Sequence, residues 1–194
     1  MAKKSTRNTR GRIVSAAWKL FYEQGYEDTT VEEIIELSGT SKGSFYHYFD
    51  GKDALLSTLS SLFDEKYEEL TGLLTPEMTA MEQLLFLNRE LFHMIEDSIS
   101  LDLLARLYST QLTTNGEKHL LDHNRIYYKL LRKIIAKGLA EGQLSSRSNV
   151  NEMVKLYALC ERALLYDWCL CAGEYALTEY SAKVLPGFLS SFLP

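Results

Sequence analysis

Apolar residues fall at helical spacing in one stretch of this chain after another. Ile13, Ala16, Ala17, Leu20 and Phe21 form a stripe that predicts a helix over residues 9–24, ended by Gly25. Val31, Ile34, Ile35 and Leu37 mark a second helix. Thr30 with Glu33 is a capping-box pair at its start, a hydroxyl for the free backbone N–H groups and a carboxylate reaching back. Gly39 stops it, because the residue past a helix end often needs a positive φ that glycine takes without steric cost. Ser41 can cap a third helix that buries Phe45 and Phe49 and presents Lys42, Ser44, His47 and Tyr48. Helix, glycine turn, helix with a polar face is the pattern of a helix-turn-helix reader.

A fourth apolar series runs through Leu55, Leu56, Leu59, Leu62, Phe63, Tyr67 and Leu70 toward Pro76, with Asp50 as its expected cap. That length predicts a connector helix, its first turn in the small amino-terminal unit and the rest in a larger body. Further helices are predicted over residues 79–97, 99–112, 117–140, 150–171 and 178–192, separated by Pro76, the TTNG break and the EGQLSSRSN segment. Pro186 inside the last one would cost about 3 kcal/mol in mid-helix, which predicts a kink or break. The helix over 150–171 is apolar on more than one face, so it is expected to be covered on several sides. Together these predict an all-α protein: an N-terminal three-helix helix-turn-helix domain (residues 1–54) joined by a connector helix to a larger helical domain (residues 55–194).

The run AAWKLFYEQGYEDTTVEEIIELSGTSKGSFYHYFDGKDAL resembles the amino-terminal domain of the TetR family of bacterial transcriptional regulators. The matching pattern is A-x-x-L-F-x-x-x-G-Y, then T-T-V-x-x-I, then S-K-G-S-F-Y-x-Y-F-x-x-K-x-x-L, within residues 9–56. The remainder is similar to the family only in length and helical character. The resemblance implies that Lys42, Tyr46, Tyr48 and Lys52 contact the DNA backbone or line the major groove, and that Gly43 lets the third helix approach a thymine methyl. It also implies a homodimer joined by its last two helices, a small-molecule pocket in the larger domain, ligand-driven change in the spacing of the two readers, and repression as the usual outcome.

Composition and charge refine this picture. Hydrophobic residues make up 46% of the 194 and charged residues 24%, enough apolar material for a core. No apolar run is long enough to span a bilayer and the first residues lack a signal-peptide centre, so a cytoplasmic protein with no membrane partner is expected. The net charge of −5 is unevenly spread: Lys3, Lys4, Arg7, Arg10 and Arg12 all precede the first acidic residue, Glu23. A basic arm directly before a helix-turn-helix is expected to engage phosphates. Cys160, Cys169 and Cys171 are an odd number and read as reduced core filler.

DNA reading needs phosphate contacts for register and base contacts for sequence. The start of the second helix at Thr30 suits a phosphate. Ser44 and His47 can donate and accept at base edges, and Thr40 and Ser41 at the turn complete the expected DNA-facing set. A dimer would present two readers about a two-fold axis, hence a palindromic operator. For the effector pocket, Phe92, Tyr108, Tyr127, Tyr128, Tyr157 and Trp168 combine apolar bodies with polar tips. Leu164, Leu185, Phe188, Leu189 and Phe192 are expected at the subunit interface. His119 and His123 stand four apart, but a solvated face is the better reading than a metal site, and no cofactor is expected. No nucleophile motif or phosphate-cradling glycine loop points to an enzyme. An alternative is a protein of the same fold that acts as a co-activator through protein contacts without reading DNA; the basic arm and Lys42, Gly43, Tyr46 and Lys52 argue against it.

Overall fold

The computed structural model describes residues 3–113, 118–145, 147 and 149–194, with side chains from residue 9 onward. The side chains of Lys3, Lys4 and Arg7 in the expected basic arm lie outside the described residues, although the backbone from Lys3 is the start of the first helix. The described residues are helical and carry no strand. The helices are α1 (Lys3–Glu23), α2 (Val31–Ser38), α3 (Lys42–Tyr48), α4 (Lys52–Leu56), α5 (Leu59–Thr71), α6 (Ala80–Ser98), α7 (Leu101–Thr113), α8 (Ile126–Ala140), α9 (Val150–Leu170) and α10 (Leu177–Leu189). They sort into two compact units, residues 1–61 with 102–115, and residues 62–101 with 116–194.

In the first unit, Ile13, Ala17 and Phe21 of α1 pack with Ile34 of α2, Phe45 of α3 and Leu55 of α4, all essentially without exposure. Phe21 leans on Tyr26 with ring centroids 5.0 Å apart, and Phe45 on Phe49 at 5.9 Å. The single long connector predicted toward Pro76 is interrupted at Ser57 and Thr58, between α4 and α5. The cause is local. The Ser57, Thr58 and Ser60 hydroxyls each donate to the carbonyl three residues back, at 2.7, 2.6 and 2.7 Å, and the Thr58 and Ser61 amides bond three back rather than four. Such back-bonding competes with the α ladder and tightens it to a 3₁₀ turn. Trp18 Nε1 donates to Thr58 Oγ1 at 2.9 Å and fixes the turn from α1. Asp50 does not cap α4; Gly51 holds that position with no side-chain bond to the helix.

In the second unit α6 packs along α10 and across α8, and α9 lies against α8 and α10. Leu84, Leu87, Phe92 and Ile95 of α6, Leu131 and Ile135 of α8, Tyr157 of α9 and Leu185 and Leu189 of α10 are buried between them. A Cβ at Gly138 would stand 2.5 Å from that of Ala80, so α8 needs glycine where it meets the start of α6. Glu96 caps α10, accepting from the Leu177 and Thr178 amides at 2.5 and 2.9 Å. Two sequence expectations fail here. The helix predicted over 117–140 begins only at Ile126, because Asp122 accepts from the Asn124 amide at 2.8 Å and Arg125, in extended backbone, forks onto Asp64 at 3.0 and 3.1 Å. His119 lies in a separate 3₁₀ turn, so it shares no helical face with His123. And α10 runs unbroken through Pro186 to Leu189.

Candidate nucleic-acid interface

The geometry of the reader follows from two helix caps and one ammonium. Thr30 and Glu33 close the predicted capping box: the Glu33 amide donates to Thr30 Oγ1 at 3.2 Å and the Thr30 amide to Glu33 Oε2 at 2.7 Å. Those bonds hold the Glu33 carboxyl below its ordinary range. Gly39 takes φ 60°, and Ser41 caps α3 by accepting from the Ser44 amide at 3.1 Å. Phe45 and Phe49 turn inward, as expected. Lys42, Gly43, Tyr46 and His47 are exposed, at spacings of one and four that make a single face of α3, and Ser44 and Tyr48 flank it half-buried. Nothing lies within 4 Å of where a Gly43 Cβ would be, so this face is open for close approach.

Several polar groups on this face already have neighbours. The Lys42 ammonium lies 3.5 Å from Glu32 and 5.9 Å from the Tyr46 ring centre, with both charged side chains about 70% exposed, a pair of little energetic weight. Ser44 Oγ is 2.9 Å from Ser41 Oγ, Thr40 Oγ1 is 2.8 Å from Ser38 Oγ, and the His47 ring meets Tyr48 edge-on.

Lys52 sits differently from its predicted place on an exposed edge. Its ammonium donates to the carbonyls of Tyr26, Glu27 and Thr29 at 2.7, 3.0 and 3.0 Å and lies 4.4 Å above the Tyr26 ring. It ties the α1–α2 loop, whose last residue presents the N-terminus of α2. Arg106 of α7 meets the same loop from elsewhere in the chain, 4.8 Å from the Tyr26 ring centre and 2.5 Å from Glu27, while also holding Asp102 at 2.8 Å. Burial and the hydrogen bond to Asp53 raise the Tyr26 phenol well above its ordinary value, so it stays a donor. Sequence reasoning missed this cluster, since nothing adjacent to Arg106 announces a partner eighty positions earlier.

Residues 13–59 match the family described as bacterial regulatory proteins, tetR family. An HTH-type transcriptional regulator from the lacX 3' region of Lactococcus lactis is 39% identical over 56 residues, 28% of this chain and 29% of that protein. Other curated regulators matched at over 30% identity are likewise spanned over a third of their length or less. Thermus thermophilus FadR, a TetR-family repressor solved with lauroyl-CoA, covers 95% of each chain at 26% identity with a TM-score of 0.76. Bacillus subtilis FadR, solved with stearoyl-CoA, has the same fold at 23% identity, covering 94% of this chain and 99% of its own, TM-score 0.69.

Residues 13–59 carry the TetR-family amino-terminal region.

The predicted pocket residues fall in both units. Tyr108 falls in the first unit, and Phe92, Tyr127, Tyr128, Tyr157 and Trp168 in the second. Trp168 Nε1 donates to the Tyr175 carbonyl at 2.9 Å and closes the end of α9. Tyr128 accepts from Arg162 at 3.1 Å and donates to the Leu120 carbonyl. Tyr127 and Tyr157 belong to a buried polar cluster around Glu161, a residue the sequence reading passed over. Tyr127 Oη and Asn88 Nδ2 donate to its two carboxyl oxygens at 2.6 and 2.9 Å, Ser181 donates to Asn88 Oδ1, and Tyr157 donates to the Leu84 carbonyl at 2.8 Å. Burial raises the Glu161 carboxyl above its ordinary 4.5 despite those donors. The three thiols are free, and burial pushes Cys160 and Cys169 up to about 11, which keeps them protonated and sluggish at neutral pH.

The expected interface residues are mostly covered within the chain itself. Leu164, Leu185, Leu189 and Phe192 are buried within the chain and Phe188 is half-buried, because α10 turns its 177–181–185–189 ridge inward against α6. The large apolar side chains left exposed on these helices are Leu159, Tyr166 and Leu170 of α9 and Tyr180 of α10. No described helix is long and apolar enough to cross a membrane.

Proposed function

We propose that this chain is a homodimeric transcriptional repressor that binds a palindromic operator through α2 and α3 and is released by a small-molecule effector in its second unit. The observation that carries the reading is the exposed face Lys42–Gly43–Tyr46–His47 on a helix held by the Ser41 cap and the inward Phe45, beside the capped N-terminus of α2. The α2 N-terminus, with its dipole directed at the exposed Thr30, supplies a phosphate site. Lys42 and Tyr46 take backbone phosphates and His47, with Ser44, reads base edges. Lys52 acts behind them, positioning the loop.

Residues 1–54 hold the reader and residues 55–194 the effector and dimer surfaces. Self-association uses Leu159, Tyr166 and Leu170, which share one face of α9, with Tyr180 of α10. The effector class is an acyl thioester of coenzyme A. Support comes from the two FadR neighbours bound to such ligands, and from a cleft of about 220 Å³ beside Leu74, Leu130 and Ile134 in which Lys133 and Lys137 offer cations for phosphate groups.

The test is binding to DNA from upstream of the protein's own gene across a potassium chloride series, with and without lauroyl-CoA. Tight, salt-steep binding to one palindrome, lost with Lys42→Ala and Tyr46→Ala and relieved by lauroyl-CoA but not by free coenzyme A, supports every part. Weak binding indifferent to sequence and to both substitutions overturns the operator reading.

A further inference from the structure

We propose that the groove between α6 and α10 binds a small organic cation, a protonated amine on an apolar or aromatic body. The groove has a volume of about 670 Å³, within the range of drug-sized ligand sites. Its walls are apolar and aromatic, with Met78, Leu85 and Phe86 on one side and Pro186 on the other. What selects the ligand is the direction of the hydrogen bonds at its surface.

Every hydroxyl proton on the α10 side points away from the groove. Ser181 gives its proton to Asn88 Oδ1, and the Asn88 amide in turn donates to the buried Glu161 carboxyl at 2.9 Å. Thr178 gives its proton to Glu96. Ser181 is fully buried, so it is the half-exposed Thr178 oxygen that offers only lone pairs to an incoming molecule. Ala182 adds a second acceptor: Pro186 has no N–H for the Ala182 carbonyl four residues back, and Ala182 and Pro186 both line the groove.

Charge follows the same sense. Glu77 and Glu82 bring two carboxylates to the lining, and hydrogen bonds from Thr75 and from Thr79 hold them below the ordinary range, so both are ionised at neutral pH. Arg89 is the cation among these lining residues, and it is engaged: its Nε and Nη2 hold Glu90 at 3.0 and 2.8 Å, and its guanidinium lies over the Phe86 ring. A groove of acceptors and negative charge with an aromatic wall complements a ligand that donates hydrogens and carries a positive charge. At about 100° per residue, the flank of α10 that carries Thr178, Ala182 and Pro186 is opposite the one that carries Tyr180, so the site stays open when the proposed dimer forms.

The test titrates the full-length protein with tryptamine and with its anionic counterpart indole-3-propionate, by calorimetry and by shift of the thermal midpoint. The expected result is saturable tryptamine binding at least tenfold tighter than the propionate. Glu77→Gln, an exposed change that leaves the core untouched, weakens tryptamine about fivefold. Pro186→Ala, which returns an amide donor to the Ala182 carbonyl, weakens it as well while stabilising α10. Equal binding of both compounds, no tryptamine binding at millimolar concentration, or indifference to both substitutions overturns the proposal. Operator binding is measured separately, so failure of this site leaves the DNA reading standing.

Discussion

Truncating Lys52 separates a structural ammonium from a phosphate ligand. In Lys52→Ala the carbonyls of Tyr26, Glu27 and Thr29 lose their shared donor and the Tyr26 ring loses the cation 4.4 Å above it. The Glu27 carbonyl is exposed, so water replaces that bond at little cost. The other two bonds are part-buried, and losing a donor there costs about 1 kcal/mol each. The lost cation–ring contact adds about 0.5–1 kcal/mol. The sum is about 3 kcal/mol, which for a chain of this size lowers the thermal midpoint by roughly 6–12 °C. The assay is thermal unfolding followed by far-ultraviolet circular dichroism, run beside operator binding at 15 °C over a salt series. Lys52→Ala should unfold early yet keep the wild-type dependence of affinity on salt. Lys42→Ala, whose exposed ammonium is paired with Glu32, should keep its midpoint within about 1 °C and lose about two units of salt slope, one from each subunit. A Lys52→Ala protein with an unshifted midpoint and a salt slope reduced by about two, one from each subunit, would refute the reasoning and return Lys52 to the phosphates.

Other consequences are equally direct. His47→Ala should alter which operator variants bind best while Lys42→Ala weakens all alike, a difference read by competition between operator variants. Glu161, whose carboxyl burial holds above its ordinary 4.5, lowers stability as pH rises from 4.5 toward its folded value, because the unfolded chain ionises first. Urea unfolding of Glu161→Gln against wild type between pH 4.5 and 8 should therefore show the variant's relative stability improving with pH, and a difference independent of pH would mean that Glu161 is ionised in the fold. Gly138→Ala gains helix propensity but drives a methyl into Ala80 and Leu144, for a net loss of about 1–3 kcal/mol in the same assay. Leu159→Glu with Tyr166→Glu should convert a dimer to monomer by sedimentation velocity, and an unchanged dimer would exclude that face.

The reader was legible because its determinants are local. A threonine and a glutamate three apart, a glycine at a helix end and two phenylalanines four apart encode their geometry within one or two turns, and each took the conformation its spacing implied. The breaks before α5 and α8 were obscured because an apolar stripe continues across them while serine, threonine and aspartate side chains divert the backbone hydrogen bonds. Glu161 was invisible for a different reason: within CERALL it looks like one solvated charge on a helix, and only Asn88 and Tyr127, far off in sequence, make it a buried acid. The expected interface residues are mostly covered within the chain, since apolar spacing shows that a face is covered and says nothing of whether the cover is the same chain or another. Leu185 is fully buried and Leu159 is exposed, though both sit at apolar positions of neighbouring helices.

The return of residues 102–115 to the first unit bears on how the protein is made and cut. A ribosome that has released residues 1–61 has released every helix of the reader, but not the arginine that grips its first loop. That grip forms only after some fifty further residues have emerged. A fragment ending at Ser61 should therefore be a looser body than the same residues in the whole chain. A chimaera that borrows this reader for another regulator inherits its native loop only if α7 travels with it.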